Sequence, residues 1–107
     1  MADHVVVFIT APNAEEAATI AKALVEERIA ACGNITQKIR SIYRWEGKIC
    51  DDDEVLLIAK TRSDLFDRVA ACVKRLHSYK VPEIIAIPII AGSESYLNWV
   101  DEQTIRP

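Results

Sequence analysis

The sequence contains little of what disulfide scaffolds, metal clusters and membrane spans are built from. Its 107 residues include three cysteines, two histidines and three glycines. No Cys-x-x-Cys pair occurs, and three widely spaced cysteines do not form a disulfide framework, which predicts a reducing compartment and, by default, the cytoplasm. The apolar run near the N-terminus is too short for a membrane span or a signal-peptide core, so no membrane partner is predicted.

An excess of positive charge is also lacking. The formal net charge is −3, which argues against a nucleic-acid partner. RNA-recognition domains need aromatic and basic residues on their middle strands. The strand in the equivalent place here reads Val55-Leu56-Leu57-Ile58-Ala59 and has neither. We therefore expect no nucleic-acid binding.

What is present predicts one α+β domain over residues 1–107. Val5–Ile9 has the continuous β-branched pattern of a central strand, and Asn13 caps a helix whose apolar stripe ends at Leu24 and Val25. A second helix is predicted to open at Ser63 and Asp64, a strand at Glu83–Ile90 and a short last helix at Gly92-Ser93-Glu94. Pro88 predicts that the 83–90 strand lies at an edge of the sheet or is bulged there. The order, with a hairpin between the first two helices, is typical of a ferredoxin-like βαββαβ sandwich.

Residues 35–61 are predicted to form that hairpin, with Glu46-Gly47 as its turn. If the loop is these two residues alone, opposite residues have numbers that sum to 93, and a bulge at Gly47 would make the sum 92. In either register the acidic run 51–54 lies across from basic residues, with Arg40 facing Asp53 or Asp52. We interpret the run as ladder pairing, because it lacks the spacing of an EF-hand calcium loop.

The length of the hairpin predicts assembly. Its arms span roughly 36 and 43 Å at about 3.3 Å per residue, whereas a compact domain of this size is roughly 34 Å across. The tip, with Tyr43 and Trp45, is therefore predicted to overhang the body and to be covered by a partner subunit. One face of the sheet is also predicted to be bare of helices, which is a second argument for oligomerisation.

Several chemistries of this fold class are missing. A soft-metal chaperone would carry Cys-x-x-Cys where this chain has Thr10-Ala11-Pro12-Asn13, and an acyl-phosphatase would need Gly and Arg in an anion-binding loop there. No Ser-His-Asp or Cys-His arrangement is visible in the sequence. The residues alone therefore indicate none of these chemistries, although groups that are distant in sequence could meet in space.

The polar residues that remain lie at the ends of apolar elements. Cys32 begins the hairpin, Lys60 closes the third strand, and His77, Tyr79 and Glu83 surround one loop. His77, Cys32 and Glu83 are candidate ligands for copper or another divalent cation, and His77 is the indispensable one, since the other histidine is near a terminus. Lys60, Tyr79 and Glu83 are candidates for a ligand-binding cleft. The alternatives are structural: a packed cysteine, a hydrogen-bonded histidine and a Lys60–Glu83 ion pair.

Six separated motifs resemble the CutA divalent-cation-tolerance family. They are Thr10-Ala11-Pro12, Ala31–Asn34, Tyr43–Lys48, Glu54-x-x-Leu57-x-x-Lys60-Thr61, and Leu76–Ile84 followed by Tyr96-Leu97-x-Trp99. The resemblance implies a ferredoxin-like homotrimer, with Tyr43 and Trp45 at its interface, that is similar in architecture to PII-type signalling proteins, and an association with copper and other divalent-metal tolerance. No established catalysed reaction goes with the family, so the chain is predicted not to be an enzyme.

Three positions depart from that family's pattern. Gly33 stands where Val is common, which predicts a looser backbone beside Cys32. Ile9 stands where some bacterial members have a metal-binding Cys, and Leu76 stands where they have the first of two His residues. A copper site of that kind would keep only His77, so weak binding is expected.

Two functions follow from these observations. The first is a CutA-type trimer in metal tolerance that binds a divalent cation weakly. The second is a PII-like signalling or scaffold trimer that binds a small anion or a partner protein in the clefts between its subunits.

Overall fold

The computed structural model describes residues 3–106, in which the elements follow the predicted order. They are strand β1 (His4–Ala11), helix α1 (Ala14–Glu26), strands β2 (Cys32–Ile35), β3 (Ile39–Trp45) and β4 (Lys48–Arg62), helix α2 (Phe66–Leu76), strand β5 (Ile84–Pro88) and helix α3 (Glu94–Gln103). The antiparallel sheet has the order β2-β4-β1-β5, and β3 pairs with the other half of β4. The predicted α+β ferredoxin-like class is confirmed.

The core lies between one face of the sheet and helices α1 and α2. Alternate residues of β1 are buried there (Val5, Val7, Ile9 and Ala11). The side chain of Asn13 accepts a hydrogen bond from the Glu16 N–H at 2.8 Å, as its capping role predicts. Val25 was predicted on the buried stripe but is 42% exposed. The face of α1 that packs on the core includes Leu24 but not Val25.

Gly33 lies where α1 packs closely on the sheet. A Cβ atom there would lie 3.1 Å from the Cβ of Ala21 and 3.0 Å from a methyl carbon of Leu57. The residue therefore serves close packing of the helix on β2 rather than loosening of the backbone.

The hairpin differs from the prediction in one respect. Its turn is Glu46-Gly47, with φ of 48° and 78°, so both residues are left-handed as a two-residue hairpin turn requires. Along β3 the paired numbers sum to 93, as predicted for this turn, and Arg40 lies opposite Asp53. Along β2 they sum to 92. The first arm is thus two strands separated by a one-residue slip, not one continuous strand.

The hairpin does overhang. The chain measures 44 × 25 × 23 Å along its principal axes. At the tip, Ile42 and Ile49 are each 64% exposed, and Tyr43 and Trp45 are also exposed. Large apolar side chains are therefore left in water where the sequence predicted a covering subunit.

Helix α3 covers only one end of the open sheet face. It is held there by His4 and Asp101, whose side chains are 2.8 Å apart, and by Arg62, which donates to the Ile105 carbonyl at 3.0 Å. Further along the face Ile85 and Ile87 of β5 stay about half exposed. The predicted strand 83–90 is shorter, at Ile84–Pro88, and pairs with β1 alone, so it is an edge strand as Pro88 indicated.

None of the helices in residues 3–106 has the length and apolar character needed to cross a membrane.

Candidate functional site

A groove of about 820 Å³ separates the hairpin from the loop that joins α2 to β5. Strand β3 forms one wall with Tyr43 and Trp45, and the loop forms the other with Tyr79 and Glu83. Glu54 of β4 also lines the groove. The groove exists because β4 continues past the end of β1, so that the loop after α2 lies beside the outer half of the hairpin.

His77 anchors this loop. Its side chain is fully buried, and Nε2 lies 2.7 Å from the carbonyl oxygen of Thr10, the residue before the last of β1. Since a carbonyl only accepts, Nε2 carries the hydrogen, and Nδ1 is free to accept from the Tyr79 N–H at 3.0 Å. Both ring nitrogens are therefore used within the chain.

Glu16 of α1 completes the anchor from the other side. One of its carboxylate oxygens accepts from both the N–H and the hydroxyl of Ser78, each at 3.0 Å, and lies 3.3 Å from His77 Nδ1. The loop is thus tied to β1 and to α1 at its first two residues.

Tyr79 points from the anchored loop to Glu54. Its hydroxyl donates to a Glu54 carboxylate oxygen at 2.6 Å, and the Glu54 residue is only 6% exposed. Burial, followed by this hydrogen bond and the negative charge of Glu54, raises the pKa of Tyr79. A short bond from a phenol to a buried carboxylate holds both side chains in one place.

The groove is acidic and aromatic in character. Arg40 is one of its two cationic residues, but Asp51 holds the guanidinium through two hydrogen bonds of 2.8 and 2.6 Å. Lys80, the other, forms no ion pair within residues 3–106. Three glutamates line the same space: Glu46, Glu54 and Glu83.

The relatives of this chain carry one family name. The family described as CutA1 divalent ion tolerance protein matches residues 5–103. The chain belongs to the CutA1 family. It is 54% identical to a "Divalent-cation tolerance protein CutA" from Thermus thermophilus, over 92% of this chain and 96% of that one. It is 46% identical to "Protein CutA, chloroplastic" from Arabidopsis thaliana, over 94% of this chain and 55% of that protein.

Solved CutA1 structures share the fold closely. The Thermus thermophilus structure has a TM-score of 0.92 at 52% identity, covering 94% of this chain and 98% of that chain. The Oryza sativa CutA1 structure has a TM-score of 0.95 at 43% identity, covering 99% and 97%.

The CutA1 fold separates the predicted metal ligands. Cys32 lies opposite Lys60 on β4, whereas His77 binds Thr10, which lies opposite Leu56. Four residues along one strand correspond to about 13 Å. Within residues 3–106 no three His, Cys, Asp or Glu side chains are grouped so as to hold a metal ion. The trio His77, Cys32 and Glu83 is thus not brought together in one chain.

The predicted cleft set is brought together only in part. Tyr79 and Glu83 line the groove, but Lys60 lies outside it and donates to the side-chain oxygen of Asn34. No Lys60–Glu83 ion pair forms within residues 3–106. Cys32 lies directly opposite Lys60 on the neighbouring strand, and its sulfur is 3.6 Å from the Tyr96 hydroxyl. That hydrogen bond raises the pKa of Tyr96.

Glu54 is the site residue that the sequence did not single out. It is the last residue of the acidic run 51–54. The first three residues of that run are exposed, whereas Glu54 is buried. The one available signal was the motif Glu54-x-x-Leu57-x-x-Lys60-Thr61, in which Glu54 precedes a buried strand.

We predict that Tyr79→Phe lowers the free energy of unfolding by about 1.5–3 kcal/mol at pH 7, because it leaves a buried carboxylate without its donor. Since the pKa of Tyr79 is raised in the folded state, this contribution is complete below the unfolded value near 10 and declines as pH rises above it. Urea unfolding of both proteins from pH 7 to 11, at equal chain concentration, measures the difference.

Tyr43→Phe is the matched control. The Tyr43 hydroxyl donates to Asp52 at 2.7 Å, which raises the pKa of Tyr43 to about 12, but both residues are exposed. The control is expected to have a much smaller effect. Equal losses in the two variants would contradict the role assigned to Glu54 burial.

Proposed function

We propose that this chain acts in tolerance to divalent cations as a homotrimer and that it binds such cations weakly, without catalysing a reaction. The observation that supports this function is the CutA1 match over residues 5–103, together with a 54% identical relative named for divalent-cation tolerance. A cytoplasmic location stays a prediction, since one relative is named chloroplastic and another structure is of a protein named periplasmic.

Copper fits the predicted ligands poorly. Both nitrogens of His77 are hydrogen-bonded, so copper would have to break one of these bonds. At Cys32 the ammonium group of Lys60 stands on the adjacent strand, where it repels a metal cation. Carboxylate oxygens line the groove at Glu54 and Glu83, and oxygen donors suit manganese, magnesium and calcium, whereas copper(I) prefers thiolate. Copper(II) binds a given oxygen site more tightly than manganese(II) does, so both metals are titrated.

We predict that manganese(II) binds in the groove with a dissociation constant of about 10⁻⁴–10⁻³ M, since few charged ligands converge there. Glu83→Gln should weaken this binding about tenfold. Isothermal titration of manganese(II) and copper(II) into the wild type, Glu83→Gln and Cys32→Ser measures it. Glu26→Gln, an exposed glutamate on α1, is the control.

Three results would decide the matter. Loss of manganese binding in Glu83→Gln alone supports the groove. Loss of copper binding in Cys32→Ser assigns copper to Cys32, one of the three ligands that the sequence indicated. Absence of binding by either metal removes direct metal binding from the proposed function.

The alternative of a PII-like trimer with a ligand cleft has one supporting observation, which is the groove itself. Its small-anion version is disfavoured within one chain, because three glutamates and a single unpaired lysine line that space.

A further inference from the structure

Helix α3 stands apart from the main core. Within residues 3–106 that core lies between the sheet and helices α1 and α2, and no residue of α3 is part of it. Val100 is the one residue of α3 that is buried, whereas Tyr96 and Trp99 are 41% and 39% exposed. A helix of ten residues is too short to be stable alone in water. The stability of α3 therefore depends on its attachment to the open face of the sheet.

The C-terminal end of α3 is capped from elsewhere in the chain. The last four carbonyl groups of a helix have no partners within it. In α3 the Thr104 hydroxyl lies 2.9 and 3.4 Å from the first two of these oxygens. The Arg28 guanidinium donates to the last two, those of Glu102 and Gln103, at 2.6 and 3.1 Å. Since α3 has no basic residue in its own last turn, Arg28 also supplies the positive charge that the helix dipole favours there.

The backbone of Arg28 is strained. Its φ is 60°, in the left-handed region, and it directly follows Glu27, the C-cap residue of α1. Glycine is the usual residue at this position, because a Cβ atom is unfavourable in the left-handed conformation. Glycine would relieve the strain but would have no side chain to reach the carbonyl groups of α3. The contact with α3 therefore offsets the strain at Arg28.

The N-terminal end of α3 is attached less firmly. The bonds from His4 and Arg62 to this segment, like those from Arg28, are made at its C-terminal end. Towards the N-terminus, the Tyr96 hydroxyl lies 3.6 Å from the sulfur of Cys32. Residues 90–93, which precede the helix, have no regular secondary structure. Movement of α3 about this segment would leave the pairing of β5 with β1 intact and would uncover the thiol.

We propose that α3 is a lid over the Cys32 thiol, that it opens while the rest of the fold stays intact, and that Arg28 holds it closed. Elements outside the core open locally at a lower free energy than the core itself. In the closed state the Tyr96 hydroxyl lies against the sulfur, and in the open state the thiol is accessible from the side of α3. The lid acts on Cys32 whether or not this residue binds a metal, so the inference does not depend on the proposed function.

Hydrogen–deuterium exchange of the metal-free assembled protein, read by mass spectrometry, tests the lid. In the wild type the amides of α3 should exchange at least about tenfold faster than those of β1, which become accessible only when the whole chain unfolds. Arg28→Gly removes the cap but relieves the strain, so α3 should exchange at least about tenfold faster still while β1 is unchanged. Arg28→Ala removes the cap and keeps the strain, so β1 should exchange faster as well. Equal exchange of α3 and β1 in the wild type, or no change of α3 in Arg28→Gly, overturns the proposal.

A thiol reagent tests what the lid covers. Alkylation of Cys32 by N-ethylmaleimide should be at least about fivefold faster in Arg28→Gly, because it follows the population of the open state. Cys50, on the hairpin, should react at the wild-type rate. Arg75→Ala is the matched control, since Arg75 binds Glu27 at 3.0 Å, and it should change neither exchange nor alkylation.

Unchanged alkylation of Cys32 overturns the lid even where the exchange of α3 rises. Light scattering and circular dichroism on every variant separate opening of α3 from changed assembly or unfolding. Neither the exchange nor the alkylation measurement involves a metal, so failure of the lid is distinguishable from failure of the proposed function.

Discussion

Replacing His77 with alanine is expected to lower the free energy of unfolding by about 3–5 kcal/mol. The variant removes a fully buried ring and leaves two polar groups, the Thr10 carbonyl and the Tyr79 N–H, without their partners. Urea or guanidinium unfolding at fixed chain concentration measures the loss. The loss should be the same in chelator-treated protein, because the role assigned to His77 involves no metal.

His77→Gln and His4→Ala are the controls. A glutamine amide reaches about as far as Nε2 and keeps a donor for the Thr10 carbonyl, so His77→Gln should lose less than alanine does. His4 is the other histidine; its side chain is 14% exposed and that of its partner Asp101 is 39% exposed, so His4→Ala should cost less than His77→Ala, about 1–2 kcal/mol. A His77→Ala protein as stable as the wild type, or one whose loss depends on added metal, would contradict the anchor.

Trp45→Ala is expected to dissociate a trimer that the wild type maintains. The wild type should scatter light as three chains of 12.0 kDa each. Trp45 is 42% exposed at the hairpin tip, beside the even more exposed Ile42 and Ile49. Truncating an aromatic interface anchor typically costs about 2 kcal/mol or more. A trimer of the variant loses three anchors over two association steps, so the concentration at which it assembles should rise at least about a hundredfold.

Trp99→Ala is the matched control, since Trp99 is 39% exposed but lies on α3 against Tyr96, with ring centroids 5.6 Å apart. Its assembly should change less. Equal dissociation of the two variants would remove the special role of the tip. A wild-type mass of one chain, with native circular dichroism, would rule out the trimer itself.

The fold was accessible from the sequence because its signals are local. Asn13 caps α1, Glu46-Gly47 makes the turn and Pro88 marks an edge strand, and each acts through its own backbone geometry. The hairpin register followed from the turn as far back as Ile39. The register of β2, earlier in the chain, depends on how this strand packs against α1 at Gly33, and no local sequence pattern indicates that packing.

The site was less accessible, because its members come from separate elements. The loop from His77 to Glu83 was recognised from the sequence, but Nε2 of His77 donates to the Thr10 carbonyl, 67 residues away, while Nδ1 accepts from the Tyr79 N–H. Both ring nitrogens are thus used within the chain, which makes His77 an anchor of the loop, and its role as a metal ligand stays a prediction. Lys60 was grouped with that loop for its charge, yet its side chain bonds Asn34 on the neighbouring strand.

The sequence by itself therefore determined the element order, the sheet class, the turn and the exposed aromatic tip, because these depend on periodicity, chain length and the backbone preferences of single residues. It also carried the motifs of the CutA1 family. Only the tertiary structure decided which polar side chains share a space. It placed Glu54 under the Tyr79 hydroxyl and kept Cys32 about 13 Å along the sheet from the level of His77. The physical reason is that burial and hydrogen-bond partners are set by the three-dimensional packing of β1, β4 and the 77–83 loop, and residue type alone does not specify that packing.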